Sequence, residues 1–151
     1  MEIKNRCAWC EKDDLYRTYH DEEWGNPVYD DQKLFEFLLL ETFQAGLSWY
    51  TVLAKRENLR VAFENFEYKK VALFTENHIQ ELMQNTGIIR NQLKIRAAVS
   101  NANAYIKVIE EFGTFATYIW NFTNGKPLVN QFNELKGIPA SSPLSDAISK
   151  D

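Results

Sequence analysis

Apolar residues recur every three or four positions along almost the whole chain, a spacing typical of amphipathic helices and not of strands. Asp30 or Asp31 is predicted to begin a helix that continues to about Phe43. A second long helix is predicted from about Ser48 to Phe63. The pattern therefore predicts an all-α fold class.

Shorter runs with the same spacing predict the other helices. They are expected near residues 15–20 and 68–74, from 75 to a stop at 85–87, from 91 to 111 and from 115 to 122. Gly87 is predicted to take the left-handed conformation that often ends a helix. Residues 124–143 are rich in Gly and Pro and predict a loop, after which a helix begins at Ser142 and Pro143, shortly before the sequence stops. Because the chain contains no repeat and no linker, residues 1–151 are predicted to form one domain.

The composition narrows the class of protein. The chain is 45% hydrophobic and 14% aromatic, which is enough apolar material for a packed core. Its net charge of -4 counts against a non-specific nucleic-acid binder, although a local basic face can still bind phosphate. Two cysteines exclude a disulfide framework and suit a reducing cytoplasm. Since the first residues lack a signal-peptide pattern and no long apolar run follows, no membrane association is expected.

One carboxylate stands out on the first long predicted helix. Leu34, Leu38 and Glu41 lie at positions i, i+4 and i+7, so Glu41 continues an apolar face. An ionised carboxylate is costly to bury without a partner. Two interpretations remain open: a helix-end Glu that reaches solvent, or a buried carboxylate that binds a ligand.

The segment Cys7-Ala8-Trp9-Cys10, together with His20, suggests metal chemistry. A tetrahedral zinc site needs four ligands, and the remaining histidine, His78, is expected on a solvated helix face. The chain alone is therefore not expected to complete a zinc site. Two ordinary thiols are the alternative, because a redox Cys-x-x-Cys normally lies in a βαβ setting that this pattern lacks.

Two segments could contact DNA. The helices predicted on either side of residues 86–90 resemble a helix-hairpin-helix, whose backbone N–H groups would face a phosphate. Arg90, Lys94 and Arg96 would add positive charge, whereas an ordinary helical hairpin is the alternative. The basic run at residues 55–60 is typical of a solvated helix face, but it could also bind the sugar-phosphate backbone.

Four motifs together resemble the bacterial Tag-type family, 3-methyladenine DNA glycosylase I. They are YRTYHDEEWG at 16–25, LETFQAGLSW at 40–49, TVLAKREN at 51–58 and GIIR at 87–90. The resemblance covers essentially all of residues 4–151. It implies a helix-hairpin-helix DNA glycosylase fold that is incomplete at its C-terminus.

The resemblance also implies a role for each matching residue. Glu41 and Tyr19 match the residues that recognise the lesion base in the pocket. Other matching aromatic residues of the pocket are Trp49, Tyr16 and Trp24, with Trp9 beside them. Gly46 and Leu47 match the loop that enters DNA, and the hairpin with Gly87, Arg90 and Lys94 would contact the backbone.

Cys7 and His20 match the family's first two zinc ligands, whereas the other two, a His and a Cys, lie in a C-terminal segment that this sequence lacks. The structural zinc of the family is therefore expected to be absent or weakly held here. The implied activity is hydrolysis of the N-glycosidic bond of 3-methyladenine, without strand cleavage because no lysine stands out as a Schiff-base nucleophile. Alkylated double-stranded DNA and free 3-methyladenine are the expected partners of a monomeric protein in the bacterial cytoplasm. The alternative is a catalytically impaired remnant that binds damaged bases or DNA.

Overall fold

The computed structural model describes residues 5–151, which contain α-helices and short 3₁₀ turns but no β-strand. The α-helices are α1 (Asp14–Glu22), α2 (Asp31–Gln44), α3 (Trp49–Ala54), α4 (Arg56–Ala62), α5 (Tyr68–Val71), α6 (Glu76–Gln84), α7 (Gln92–Phe112), α8 (Phe115–Asn121) and α9 (Pro143–Lys150). The 3₁₀ turns are Ala8–Cys10, Glu64–Phe66 and Leu135–Gly137. The predicted all-α class is confirmed. The expectation about a signal peptide rests partly on residues 1–4, which lie outside the described residues.

The hydrophobic core lies mainly between α2 and α7. Their buried apolar residues are Phe35, Leu39, Leu40 and Phe43 on α2, and Ile95, Ala98, Ala102 and Tyr105 on α7. Each such side chain contributes about 1.5–3 kcal/mol when it is large and fully buried. Side chains from α3, α4, α5 and α6 complete the same core.

The core face of α2 differs from the one that the sequence predicted. Leu38 is exposed and Leu34 only partly buried, so the row that leads to Glu41 points away from the core. The reason is that α2 is apolar on more than one side, and the aromatic residues Phe35 and Phe43 occupy the interior instead. Glu41 is therefore accessible on the opposite face of the helix.

The second predicted long helix is two helices. Lys55, with φ -99° and ψ 2°, ends α3 and begins α4. Its N–H donates to the carbonyl oxygen of Val52 at 3.0 Å, a tighter turn than that of an α-helix. No proline or glycine marks this break, so the hydrophobic spacing alone did not reveal it.

The predicted role of Gly87 also needs correction. Asn85 ends α6, and the φ of Gly87 is not positive. A Cβ atom on Gly87 would lie 3.0 Å from the side-chain amide of Asn58, whose Nδ2 donates to the Gly87 carbonyl oxygen at 3.1 Å. Close approach of α4, and not backbone handedness, therefore favours glycine here.

Helix α8 is attached to the start of α2. The Asp31 carboxylate accepts hydrogen bonds from the backbone N–H groups of Phe115 and Ala116, at 3.1 and 2.9 Å. The Phe115 ring stacks on Tyr105 with centroids 4.1 Å apart. Beyond α8, the loop and α9 contain no buried residue. None of the helices in residues 5–151 is long and apolar enough to cross a membrane.

Candidate base-binding site

Six aromatic side chains meet where α1 faces the start of α3. Trp9 lies 4.9 Å from Tyr16 and 5.3 Å from Trp24, measured between ring centroids. Tyr19 lies 5.5 Å from Trp49, and His20 stacks on Trp24 at 5.3 Å. The sequence had spread these residues over forty positions, and the fold brings them into one cluster.

A cavity of about 360 Å³ opens within this cluster, a size typical of small-molecule sites. Its lining residues are Trp9, Tyr16, Tyr19, Trp24, Glu41, Gln44 and Trp49. All of the predicted base-contacting residues therefore line one cavity. Gln44 is an addition that the sequence analysis missed, although it lies one helical turn after Glu41 and so shares its face.

Several polar groups of the cavity wall have no partner in residues 5–151. The Glu41 carboxylate and the hydroxyl groups of Tyr16 and Tyr19 make no hydrogen bond there. The indole N–H of Trp49 is fully buried and is also unpaired. Because buried polar groups are normally hydrogen-bonded, the unpaired Trp49 N–H, together with the other polar groups beside it, makes this cavity a candidate ligand site.

The electrostatics of the cavity follow from its partial burial. Desolvation raises the pKa of Glu41 above its ordinary value. Burial, followed by the nearby charges of Glu41 and Glu23, raises the pKa of Tyr19 to about 12. At neutral pH Tyr19 is therefore a neutral phenol, and it lies beside a Glu41 carboxyl group whose ionised form is less favoured than in water. The Glu41 side chain reaches solvent, as the first interpretation expected, although it also lines the cavity. Its role in binding a ligand stays a prediction.

Two helix caps position the residues on opposite sides of the cavity, one at the start of α1 and one at the start of α3. Asp13 begins α1 by accepting a hydrogen bond from the Tyr16 N–H at 3.0 Å, and its other oxygen accepts from the Tyr50 hydroxyl. Ser48 begins α3 by accepting from the Thr51 N–H at 3.1 Å, which fixes Trp49 at the first helical position.

The loop between α2 and α3 contains the predicted DNA-entering residues. Gly46 has φ +79°, a conformation that favours glycine, and it is exposed. Gln44 and Leu47 close the loop through two hydrogen bonds, of 2.6 Å from the Leu47 N–H and 2.7 Å from the Gln44 side chain. The Lys94 ammonium group donates to the carbonyl oxygens of Phe43 and Ala45, at 2.7 and 2.6 Å. Lys94 thus connects α7 to this loop.

The turn between α6 and α7 holds the predicted hairpin. Ile88 is buried and holds the turn against the core, whereas Arg90 is exposed and makes no hydrogen bond or ion pair with the residues described. Arg96 is paired with Glu76 at 2.6 Å. Of the three predicted cations near the hairpin, Arg90 is the one left without a protein partner, and contact with DNA remains a prediction for all of these residues.

Cys7 and His20, the two residues that the family resemblance suggested as zinc ligands, lie side by side. The Cys7 N–H approaches His20 Nε2 at 3.4 Å, and Asp21 accepts from His20 Nδ1 at 3.0 Å when that nitrogen is protonated. Cys10 is buried, its Sγ lies 3.0 Å from the Cys7 carbonyl oxygen, and burial raises the pKa of its thiol. Within residues 5–151, no group of three or more His, Cys, Asp and Glu side chains is arranged to hold a metal ion. Two ligands do not make a closed tetrahedral site.

The basic run at residues 55–60 is not the solvated face that its composition favoured. The Arg56 side chain is 11% exposed and binds the carboxylates of Glu23 and Glu36. Glu36 also accepts from Arg60 and Lys33, at 2.9 and 3.1 Å. The spacing of charges within residues 55–60 could not predict these ion pairs, because the carboxylates belong to α2 and to the residue that follows α1.

A second cavity, of about 530 Å³, shares Tyr19, Trp24 and Glu41 with the first. It continues between α2, α8 and α9, where Phe37, Trp120 and Ile148 line it. Glu41 thus borders both cavities.

Comparisons with known proteins agree with this geometry. The profile of the methyladenine glycosylase family matches residues 9–151. The chain is 47% identical over 148 residues to the DNA-3-methyladenine glycosylase of Haemophilus influenzae, covering 98% of this chain and 80% of that protein. It is 48% identical over 145 residues to DNA-3-methyladenine glycosylase 1 of Escherichia coli K12, covering 96% and 78%.

Solved structures resemble the fold over nearly its whole length. A crystal structure of a Tyr-to-Phe variant of 3-methyladenine DNA glycosylase I in complex with 3-methyladenine superposes with a TM-score of 0.93 at 37% identity. That match covers 97% of this chain and 79% of the other. From the family profile, the two curated relatives and this structure, the chain belongs to the methyladenine glycosylase family.

Proposed function

We propose that this protein is a base-excision repair glycosylase that hydrolyses the N-glycosidic bond of 3-methyladenine in alkylated DNA. The observation that carries the proposal is the cavity in which Tyr19, Trp49 and Glu41 meet with unpaired polar groups. Family membership and the relative that binds 3-methyladenine support the same substrate.

The substrate's own chemistry determines what the site must supply. Methylation at N3 makes adenine cationic, so the bond to the sugar is already weak and little acid catalysis is needed. The base must leave the helical stack, which costs a few kcal/mol and least for a damaged base. The aromatic faces of Tyr19 and Trp49 favour a cationic purine over a neutral one.

Glu41 supplies base selectivity in this mechanism. As a carboxylate it accepts hydrogen bonds from the exocyclic amino group of adenine, and it repels the carbonyl oxygen that guanine presents there. Water then attacks the sugar carbon. No lysine lines the cavity of about 360 Å³, which supports base excision without strand cleavage.

Contact with double-stranded DNA would use the hairpin and the loop after α2. The start of α7 offers backbone N–H groups to a phosphate, with Arg90 exposed beside it. Leu47 is apolar and adjoins the cavity through Trp49, so it suits the space left by an extruded base. The hairpin of α6 and α7 is thus our candidate for a helix-hairpin-helix. We further propose that the protein acts as a monomer in the cytoplasm.

Replacing Glu41 tests the proposal directly. Glu41→Gln removes the charged acceptor, so excision of 3-methyladenine should fall by about ten- to a hundredfold, the equivalent of about 1.5–3 kcal/mol for a charge-assisted hydrogen bond. Thermal stability should stay nearly unchanged because the side chain is accessible and unpaired. Glu110→Gln, on the exposed face of α7, is the matched control. Wild-type excision in Glu41→Gln would refute the assignment, and wild-type protein that binds 3-methyladenine without excising it would support the alternative of an impaired remnant.

For zinc, we propose at most weak binding by Cys7 and His20, and no step of the mechanism uses the metal. A site with two or three protein ligands holds zinc less well than a closed four-ligand site. Elemental analysis after mild chelation should therefore find much less than one zinc per chain. One zinc that resists chelation would contradict this proposal.

A further inference from the structure

A partly buried ion-pair cluster, the Arg56 cluster, is formed by Arg56, Glu23, Glu36, Lys33 and Arg60. Arg56 donates to both oxygens of the Glu23 carboxylate, at 2.6 and 2.9 Å. Its Nε donates to Glu36 at 2.7 Å. Arg56 thus joins the turn that follows α1 to α2, and the Lys33 ammonium group of α2, 3.3 Å from the Glu23 carboxylate, adds a second ion pair.

The cluster is well satisfied electrostatically. Glu36 is 4% exposed and is the one buried charged residue within the described part of the chain. Burial opposes its ionisation, but hydrogen bonds and charge from Arg56 and Lys33 outweigh burial, so the pKa of Glu36 is lowered. Hydrogen bonds from Arg56 lower the pKa of Glu23 as well. Both carboxylates therefore remain charged at neutral pH, and the attachment between α1 and α2 is ionic there.

Helix α1 depends on such polar contacts because it buries no residue of its own. Glu23 is the residue that ends α1, and its N–H, like that of Trp24, donates to the Tyr19 carbonyl oxygen at 2.9 Å. The ion pairs of the Glu23 side chain therefore fix the position of the turn that carries Tyr19 and Trp24. The partner Glu36 lies on α2, the helix that also carries Glu41.

We infer that Arg56 is a positioning residue for base recognition, because it fixes the α1 wall of the cavity, with Tyr19 and Trp24, relative to Glu41 on α2. This inference rests on the proposed function, because base recognition is part of that function, whereas the contacts of Arg56 do not depend on it. Arg56 lines neither cavity, whereas Glu23 lines the larger one, so Arg56 acts through Glu23 and not by touching the base.

The most selective test is Glu23→Gln. It removes the charged link to α1, whereas Glu36 keeps its ion pairs with Arg56, Arg60 and Lys33, so no buried charge is stranded. The single-turnover excision rate and the affinity for free 3-methyladenine should both fall about tenfold. Affinity for undamaged duplex DNA should stay unchanged. Glu57→Gln, which removes an exposed partner of Arg60, is the matched control and should alter none of these quantities.

A double-mutant cycle with Arg56→Lys separates positioning from a general loss of stability. Lysine keeps the charge but cannot bind a carboxylate through two parallel donors. If both residues act through one link, Glu23→Gln should lower the excision rate much less in the Arg56→Lys background than in the wild-type protein. Additive losses in rate, or unchanged base affinity in Glu23→Gln, would overturn the inference. A weakened affinity for undamaged duplex in Arg56→Lys, with base affinity intact, would assign Arg56 to DNA binding instead.

A spectroscopic measurement keeps this test independent of the proposed function. The Tyr19 and Trp49 rings, with centroids 5.5 Å apart, should give nuclear Overhauser contacts in the wild-type protein and weaker ones in Glu23→Gln. If wild-type protein excises no 3-methyladenine but the ring contacts still weaken, the proposed function fails and the positioning role holds. If excision is normal in wild type and the contacts persist in Glu23→Gln, the positioning role fails alone.

Discussion

Helices α7 and α1 are held in this protein by different forces. Helix α7 buries Ile95, Ala98, Ala102 and Tyr105 in the core, largely against α2. Helix α1 buries no residue, and besides the partly buried ring contacts of Tyr16 and Tyr19 it is attached through Asp13 and Glu23 at its two ends. Yet α1 carries Tyr16 and Tyr19, which form one wall of the cavity. The α1 side of the cavity is therefore largely separate from the core that determines global stability, whereas the side with Glu41 and Trp49 is part of it or packs against it.

This separation has a physical consequence for how substitutions act. Hydrophobic burial is non-directional and scales with area, so damage to the core lowers the free energy of unfolding of the whole domain. Hydrogen bonds and ion pairs are directional, so damage at either end of α1 changes where its aromatic rings lie. Three substitutions test this comparison, in order of decreasing expected effect on stability.

The largest effect is expected from the core. Phe43 on α2 is 0% exposed, and Phe43→Ala should lower the free energy of unfolding by about 3–5 kcal/mol, because it removes buried apolar surface and leaves a cavity. Leu38→Ala on the same helix, at an exposed position, is the control and should change stability much less. Urea unfolding measures both. Equal losses for the two variants would mean that the core has been assigned to the wrong face of α2.

An intermediate effect is expected from Lys94, a polar contact made from the core helix. Its ammonium group stabilises the carbonyl end of α2, so Lys94→Met should cost about 1–2 kcal/mol and should slow excision from duplex DNA by loosening the loop at Gly46 and Leu47. Arg90→Met, which removes an exposed cation without a protein partner, should leave stability unchanged. It should instead weaken binding to damaged and undamaged duplexes alike, with the slope of log affinity against log salt reduced by about 0.9. If Lys94→Met spares stability and weakens duplex binding as Arg90→Met does, then Lys94 contacts phosphate directly.

The sequence predicted the helices and the site's aromatic residues better than it predicted their surroundings. Hydrophobic spacing identified α2, α6 and α7 because each buries a regular stripe. It placed Leu34 and Leu38 inside, however, because spacing does not tell which of two apolar faces meets the core. Periodicity singled out Glu41, whereas the resemblance to a family supplied Tyr19 and Trp49 and related them to it.

Long-range polar contacts were the other limit. Arg56 and Glu23 are 33 positions apart and lie in different elements, so no local pattern relates them. A run of charged residues is usually solvated, and only the fold shows that Arg56 and Arg60 of this run bind a carboxylate on α2. The break at Lys55 escaped for a similar reason, since the turn is closed by backbone hydrogen bonds and not by a marker residue.

The smallest effect is expected where α1 begins. The Tyr50 hydroxyl donates to Asp13, and this hydrogen bond is the main reason why the pKa of Asp13 is lowered, followed by the hydrogen bond from the Tyr16 N–H. Tyr50→Phe should therefore raise the pKa of Asp13 toward its ordinary value while the helix cap persists. A carboxylate with a lowered pKa stabilises the fold above its unfolded pKa and loses that contribution as the pH falls through the folded pKa.

The stability difference between Tyr50→Phe and wild type should accordingly be present at neutral pH and disappear in acid, and it should be smaller than that of Lys94→Met. Titration of the Asp13 carboxyl carbon by nuclear magnetic resonance measures the pKa, and urea unfolding at several pH values measures the stability. Because Tyr50 follows Trp49 directly, base affinity should decrease slightly as the α1 wall loosens at this end. An unchanged Asp13 pKa together with unchanged stability would show that the cap alone holds the start of α1, and that the polar attachment of this helix rests on Glu23 and Arg56.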